Sequence, residues 1–460
     1  MKVYSSLTKS ILFLSMFCLF AACQDQSTSP EDEQINEVNG NDNDDAHFFI
    51  QTFGGSEMDI GTQAIPLQDG GFLVVGRAAS DDGDFSEKSN NNHDIFVLKS
   101  DESGEIDWVN TFGGTDSDQA IAAAETSNGY IIGGNFQSNN GMFTGMLEGN
   151  SDLYLMKLDT DGNQQWLEIF GGSEFDSFGS MDKTPDGGFI ISGNTSSNDG
   201  IFSGLNPGDR SAFLIKTNSS GAIEWVEIYG GTNDDRGNSV AAAPEGGYIL
   251  GGQTSSNDGD FDGLSVSDGM DAYMLKVDVN GDKEWIAIFG GSENQEGRDV
   301  TIGEDGSFLL TGMTPSGDGD FSEFDVEEND LFVVKLNSDG SKEWLTTLNG
   351  SGRDGGNSIS PSPNGGYILT GAIESDDGDF SAATTGGLNI PLIKLDSNGN
   401  TEWIKFFGGN GWDQGSHVIP TPDNGYLITG TTRSSDADFT DFDRTANDVV
   451  LIKTDSEGEI

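Results

Sequence analysis

Phe49-Ile-Gln-Thr-Phe53-Gly54-Gly55 near the start of the chain and Asp455-Ser-Glu-Gly-Glu-Ile460 at its end are two halves of one motif. The two halves stand joined in Asp101-Glu-Ser-Gly-Glu-Ile106-Asp-Trp108-Val-Asn-Thr-Phe112-Gly113-Gly114. A repeat has been cut inside itself, and its missing last part lies at the other end of the sequence. An open stack of repeats has no need of such a cut, whereas a ring closed by an amino-terminal strand does, because pairing the ends removes an exposed sheet edge.

The period is carried by tryptophans at Trp108, Trp166, Trp225, Trp285, Trp344 and Trp403. Four residues after each comes Phe112, Phe170, Tyr229, Phe289, Leu348 or Phe407, followed by Gly-Gly or, once, Asn349-Gly350. Each repeat also holds a small residue, an aromatic and an apolar run, from Gly71-Phe72 through Gly247-Tyr248 to Gly425-Tyr426. In the unit after Tyr229 the alternation predicts strands over about Gly237–Ala243, Gly247–Thr254, Ala272–Asp278 and Glu284–Phe289. Asn-Gly and Gly-Gly pairs mark tight joints at Pro244–Gly247 and Asp278–Gly281, because these residues tolerate positive φ. Four strands per repeat without helical periodicity predict an all-β, seven-bladed β-propeller over residues 47–460, the last blade completed by the amino-terminal strand.

Ahead of the repeats, Lys2 and Lys9 bracket a polar start, and Ile11–Phe20 is an apolar run too short to span a bilayer, as in a secretory signal. Phe20-Ala21-Ala22-Cys23 resembles a lipobox, which implies a signal over 1–22 and acylation at Cys23. Residues 23–46 are polar and acidic, as expected of a disordered tether. Cys18 lies in the signal, so no disulfide, cysteine-rich zinc site or thiol nucleophile is expected in the body. Asp25 and Glu31-Asp-Glu33 resemble surface-export signals of Bacteroidetes lipoproteins, which implies an outer-membrane anchor at the cell surface; the periplasmic side is the alternative. The membrane is thus expected as a partner through the lipid alone, and the protein as a monomer.

The formal charge is -57, from 78 acidic and 21 basic residues, which disfavours nucleic acid as a partner. No Gly-x-Ser-x-Gly elbow, His-Glu-x-x-His pair or phosphate loop is present. Carboxylate pairs abound without any one standing out, so catalysis by such a pair stays open. His417 near Trp412 and Asp413 is the one local cluster of mixed chemistry.

Two loop families share one face. The long joint carries Ser-x-Asx-Gly-x-Phe, with Asp82, Asn140, Asp199, Asp258, Asp318, Asp377 and Asp436 at its third position. Uniformity favours a structural role, the Asx capping its own turn and the phenylalanine anchoring the loop. Calcium is the alternative, with Asp82, Asp258, Asp260, Asp318 and Asp320 as candidate ligands, although the spacing is not that of an EF-hand. The joint after Gly-Gly presents Met58, Ser117, Phe175, Asp234, Asn294, Arg353 and Trp412, a position different in every repeat and therefore free to read a ligand. These seven are expected to ring the mouth of the central channel. An aspartate follows in six repeats and Gln295 in the fifth, as a turn element.

The Asp-x-x-Gly-x-x-x-Trp turn, as in Asp159–Trp166, resembles the docking motif of quinoprotein-like propellers, where each indole packs on the neighbouring blade. That resemblance assigns docking to Phe49, Trp108, Trp166, Trp225, Trp285, Trp344 and Trp403. The stretches Phe170-Gly-Gly-Ser173 and Gly247-Tyr248-Ile249 look like repeats of secreted and lipoprotein propellers of Bacteroidetes. The quinoprotein dehydrogenases have eight blades, calcium and a quinone, often beside adjacent cysteines, and this chain has seven repeats and no cysteine pair. In docking motif and lipid anchor it is also similar to the propeller lipoprotein of the outer-membrane assembly machine. The reading is a non-catalytic envelope propeller that binds a protein or glycan, with a polysaccharide lyase or glycoside hydrolase, or a periplasmic assembly scaffold, as alternatives.

Overall fold

The computed structural model describes residues 47–460 apart from 87, 89–91, 265–266, 268, 327, 384–385 and 441–445. The signal, Cys23 and the tether lie outside the described residues. Seven four-stranded antiparallel sheets follow one another along the chain. The first contains Asp59–Pro66, Phe72–Ala78, Asp94–Ser100 and Ile106–Phe112 in spatial order. The fourth contains Asp235–Ala242, Tyr248–Thr254, Asp271–Val277 and Lys283–Phe289, within two residues of the boundaries expected from alternation.

The seventh sheet closes the ring. Gln414–Pro420, Tyr426–Thr432 and Asp448–Thr454 are completed by Phe49–Phe53, with Phe49 opposite Lys453 and Phe53 opposite Val449. A core cluster then crosses from this blade to the first, uniting Leu427, Val449 and Leu451 with Val74, Phe96 and Leu98. The equivalent cluster between blades one and two unites Leu73, Val75, Ile95 and Val97 with Ile132, Tyr154 and Met156. The middle strands thus pack on both faces, which is why Asp152–Leu158 and Asp271–Val277 are buried at every residue.

Docking follows the same ring. A side-chain carbon on Gly162, in the last tight turn of blade two, would stand 2.9 Å from the Trp108 ring of blade one. The pairs Trp166/Gly221, Trp225/Gly281, Trp285/Gly340, Trp344/Gly399, Trp403/Gly458 and Phe49/Gly104 repeat this contact around the molecule. Each of these turn glycines has φ between +76° and +87°, so close approach and backbone conformation both demand glycine there. The same aromatics lie 5.7 to 6.3 Å from the next blade's ring in the pairs Trp285/Phe308, Phe49/Phe72, Trp108/Tyr130 and Trp344/Tyr367.

Each long joint contains one short 3-10 turn, Gly83–Phe85 in the first blade and Gly259–Phe261 in the fourth. Its phenylalanine is fully buried in every blade, from Phe85 and Phe143 to Phe439. Each such ring is worth about 1.5–3 kcal/mol of burial, enough to hold a loop that has little other apolar content.

Candidate binding face

The two loop families are locked to each other. Asp82 does not cap its own 3-10 turn; it accepts the Ser56 N–H, 26 residues upstream in the Gly-Gly joint, at 2.7 Å. Asn140, Asp199, Asp258, Asp318, Asp377 and Asp436 accept from Thr115, Ser173, Thr232, Ser292, Ser351 and Asn410 in the same way. The expectation that the Asx closes its own turn is therefore corrected: it staples the neighbouring joint. Where the next acidic position is filled, Asp84, Asp260, Asp320, Asp379 and Asp438 accept the N–H of Gly54, Gly230, Gly290, Asn349 and Gly408. The five calcium candidates thus already accept backbone N–H groups, and Asp260 and Asp320 also meet Lys283 and Lys342. Among the described residues no three His, Cys, Asp or Glu side chains gather as a metal centre.

The aspartate at the start of the inner strand, present in six of the seven blades, is a buried hub. Asp59 accepts from Gly55 N–H, Ala79 N–H, Ser80 N–H and Ser80 Oγ–H at 2.6 to 3.1 Å. Asp118, Asp176, Asp235 and Asp354 are built alike, and burial pushes the pKa of each above the usual carboxylate value, against the hydrogen bonds that lower it. In the fifth blade Gln295 does the same work, accepting from Gly291 N–H and donating to Ser316 Oγ.

The residue just before this hub is the variable position, clamped from two sides. Its carbonyl accepts from its own blade, as Ser196 N–H to Phe175 at 3.0 Å and Arg433 N–H to Trp412 at 3.0 Å. The following N–H donates to the preceding blade, Asp176 to Ser151 at 2.9 Å and Asp413 to Leu388 at 3.2 Å. These residues therefore stand on the seams between blades and not on the channel wall, which begins further along the inner strand. Met58, Phe175 and Trp412 are exposed by 41, 38 and 50 %. Arg353 projects into solvent, 3.8 Å from Glu328. Asp234 is held by Arg236 at 2.7 Å, and Asn294 accepts the Met270 N–H at 2.9 Å, so these two are already occupied within the fold.

The channel, a cavity of about 390 Å³, is lined by all seven inner strands. Each inner strand is irregular at its middle, between Gly61 and Gln63 in the first blade and between Gly415 and His417 in the last. The side chain after the irregularity reaches the next blade: Gln63 Oε1 accepts Ala123 N–H, Ser239 Oγ accepts Val300 N–H, Asp299 Oδ2 accepts Ile359 N–H and Ser358 Oγ accepts Val418 N–H. His417 reaches back to Gln63 at 3.4 Å, so its chemistry belongs to ring closure. Burial lowers its pKa to about 4.

A further sevenfold feature escaped the sequence reading. Lys99, Lys157, Lys216, Lys276, Lys335, Lys394 and Lys453 occupy one position near the end of each third strand. Their stems are largely buried, and most of their ammonium groups pair with acidic residues of the tight turns and outer strands, as Lys216 with Asp186 at 2.9 Å and Glu224 at 2.8 Å. The signal was a lysine at the same place, just after the apolar run, in every repeat.

The fold and this face define a seven-bladed propeller with a stapled loop surface. No family model matches the chain. A curated relative, the regulatory protein FlaEY of Caulobacter vibrioides, is 24% identical over 326 residues, covering 64% of this chain and 34% of its own length. The chain therefore spans about a third of that relative. Among solved structures, BamB of Moraxella catarrhalis is 12% identical with a TM-score of 0.43, covering 89% of this chain and 99% of its own. YCF48 bound to a D1 peptide is 10% identical with a TM-score of 0.46, covering 90% and 96%. A puromycin hydrolase is 12% identical with a TM-score of 0.45, covering 82% and 51%.

Proposed function

We propose that the chain is a non-catalytic binding propeller that engages a protein partner through its loop face, held at the bacterial outer membrane by acylation of Cys23. One observation carries the reading: Met58, Phe175 and Trp412 are large, exposed and apolar, on a backbone fixed by hydrogen bonds to two blades. Met146 and Leu205, exposed by 40 and 42 %, follow the 3-10 turns of two long joints on the same face. Rigid apolar anchors cost little entropy on binding, and the acidic surroundings favour a basic partner. The name of the curated relative, a regulatory protein, is compatible with such a role.

The test is a pull-down from outer-membrane extract, in parallel with a glycan array, using the full chain and the triple variant Phe175→Ala, Arg353→Ala, Trp412→Ala. The variant is expected to melt as the parent does and to lose its captured protein by at least about tenfold in affinity, since exposed anchors contribute to binding and not to folding. Trp225→Ala should do the reverse. Full affinity in the triple variant moves the site from the variable position to the acidic long joints, and glycan binding alone replaces the partner class.

A further inference from the structure

In a chain with 78 acidic residues, a guanidinium without a carboxylate is out of place. Arg77 is such a group. It lies second from last in Phe72–Ala78, opposite Ile95, and ends the row Leu73, Val75, Arg77 that faces the seam between blades one and two. Its hydrogen-bond partner is Gln119 Oε1 of blade two at 3.3 Å, and no carboxylate of the described residues lies within ion-pair distance of it. The arginines of the inner strands, by contrast, are matched, Arg236 by Asp234 at 2.7 Å and Arg298 by Glu296 at 2.9 Å. At the next seam Asn135 stands in the place of Arg77 and is satisfied, donating to the Asp176 carbonyl and accepting the Phe178 N–H, both at 3.1 Å.

His93 sits at the same seam. Its carbonyl receives the Asp118 N–H at 2.8 Å, and its Nε2 is buried without a partner. Burial first, then the nearby charges of Arg77 and Lys88, hold its imidazole below the ordinary histidine value, so at neutral pH it is an uncharged ring. Lys88 is engaged by the Ala79 carbonyl at 3.3 Å and by Asp94 at 3.8 Å. Among the described residues the seam therefore has one positive charge with no carboxylate in ion-pair range, a planar fork, and a ring nitrogen with no hydrogen-bond partner.

We propose that the loop-face end of the seam between blades one and two binds a carboxylate, with Arg77 giving its guanidinium fork, Gln119 orienting that fork and His93 supplying a neutral N–H. A carboxylate matches both the single charge and the planar two-oxygen geometry, whereas a phosphate dianion would remain half-compensated. This site does not depend on Met58, Phe175 or Trp412, and the loss of one reading leaves the other standing.

The experiment is calorimetric titration of the full chain with sodium acetate and with inorganic phosphate, against chloride of equal ionic strength, for the parent, Arg77→Gln and Arg433→Ala. Arg433 is exposed on the same face. Saturable acetate binding in the range of about 1–10 mM is expected, weakened about tenfold or more by Arg77→Gln and kept by Arg433→Ala. Absence of saturable heat in the parent, equal affinity in Arg77→Gln, or preference for phosphate overturns the proposal. Should Arg77→Gln lose its native circular dichroism, the parent's His93 C2–H resonance decides. Movement of that resonance with acetate supports the site, and a static resonance ends it.

Discussion

At the scale of single residues, the inner-strand aspartate shows how a charge that is costly to bury becomes a repeated structural device. Asp118 gathers Gly114 N–H at 2.9 Å, Gln137 N–H at 3.0 Å, Ser138 N–H at 3.1 Å and Ser138 Oγ–H at 2.7 Å. These donors belong to both loop families, so one side chain sets the shape of the face above it. Replacement by alanine strands three backbone N–H groups, and Asp118→Ala is expected to cost about 3 kcal/mol in urea unfolding. Asp118→Asn keeps an acceptor and adds a donor, in the manner of Gln295, and should cost about half as much. Equal losses in the two variants would mean that the negative charge itself matters and not the acceptor count.

At the scale of elements, the strand Phe49–Phe53 is the part whose removal tests the ring. It supplies all five pairs along Val449–Lys453, and Phe49 is the blade-seven counterpart of the docking tryptophans, against Gly104 and Phe72. Deleting residues 47–55 should expose the edge of Asp448–Thr454 and give aggregation or a fall of more than about 10 °C in melting midpoint. An unchanged midpoint would refute closure by this strand. This element was legible in the sequence because a docking aromatic and its Gly-Gly are conspicuous even when split from their repeat. The buried phenylalanines of the long joints were legible for the same reason. What could not be read were relations across strands: the staple from Asp82 to Ser56, the seam position of Trp412, and the irregularity that aims His417 at Gln63. Each depends on which residue of a neighbouring strand or blade stands opposite, and local alternation does not encode that register. The lysines near the ends of the third strands were overlooked for a different reason. Their charge argues against burial until the carboxylates of the turns are seen to cover them.

For the whole molecule, the response to pH follows from the sign of the buried charges. The raised pKa values of Asp59, Asp118, Asp176, Asp235 and Asp354, and of Asp152 to about 6, mean that folding favours their protonated forms. The stability they contribute is fully present below the unfolded value near 3.8 and is lost as pH rises through their folded values. Lowering the pH from 7 to 5 should therefore stabilise the ring through Asp152, and protonation also relieves the self-repulsion of a -57 chain. His417 works in the opposite sense: its folded pKa of about 4 against 6.5 gives stability present above 6.5 and lost as pH falls toward 4. His93, lowered by burial as well, acts with it, so the upward change from pH 7 to 5 rests on Asp152 and on the relief of surface repulsion. Below 4 the balance turns. Asp305, lowered to about 2 by Lys335 and Ser307 despite its burial, and Asp69, Asp186 and Asp423, lowered in part by their lysines, give stability present above 3.8 and lost as they take up protons. The melting midpoint should accordingly rise or hold between pH 7 and pH 5 and fall between pH 4 and pH 2, with added salt narrowing the first difference by screening the surface repulsion. Thermal melts followed by circular dichroism in matched buffers measure this directly. A midpoint that drops between pH 7 and pH 5 would show that protonation of the two buried histidines outweighs Asp152 and the relief of surface repulsion.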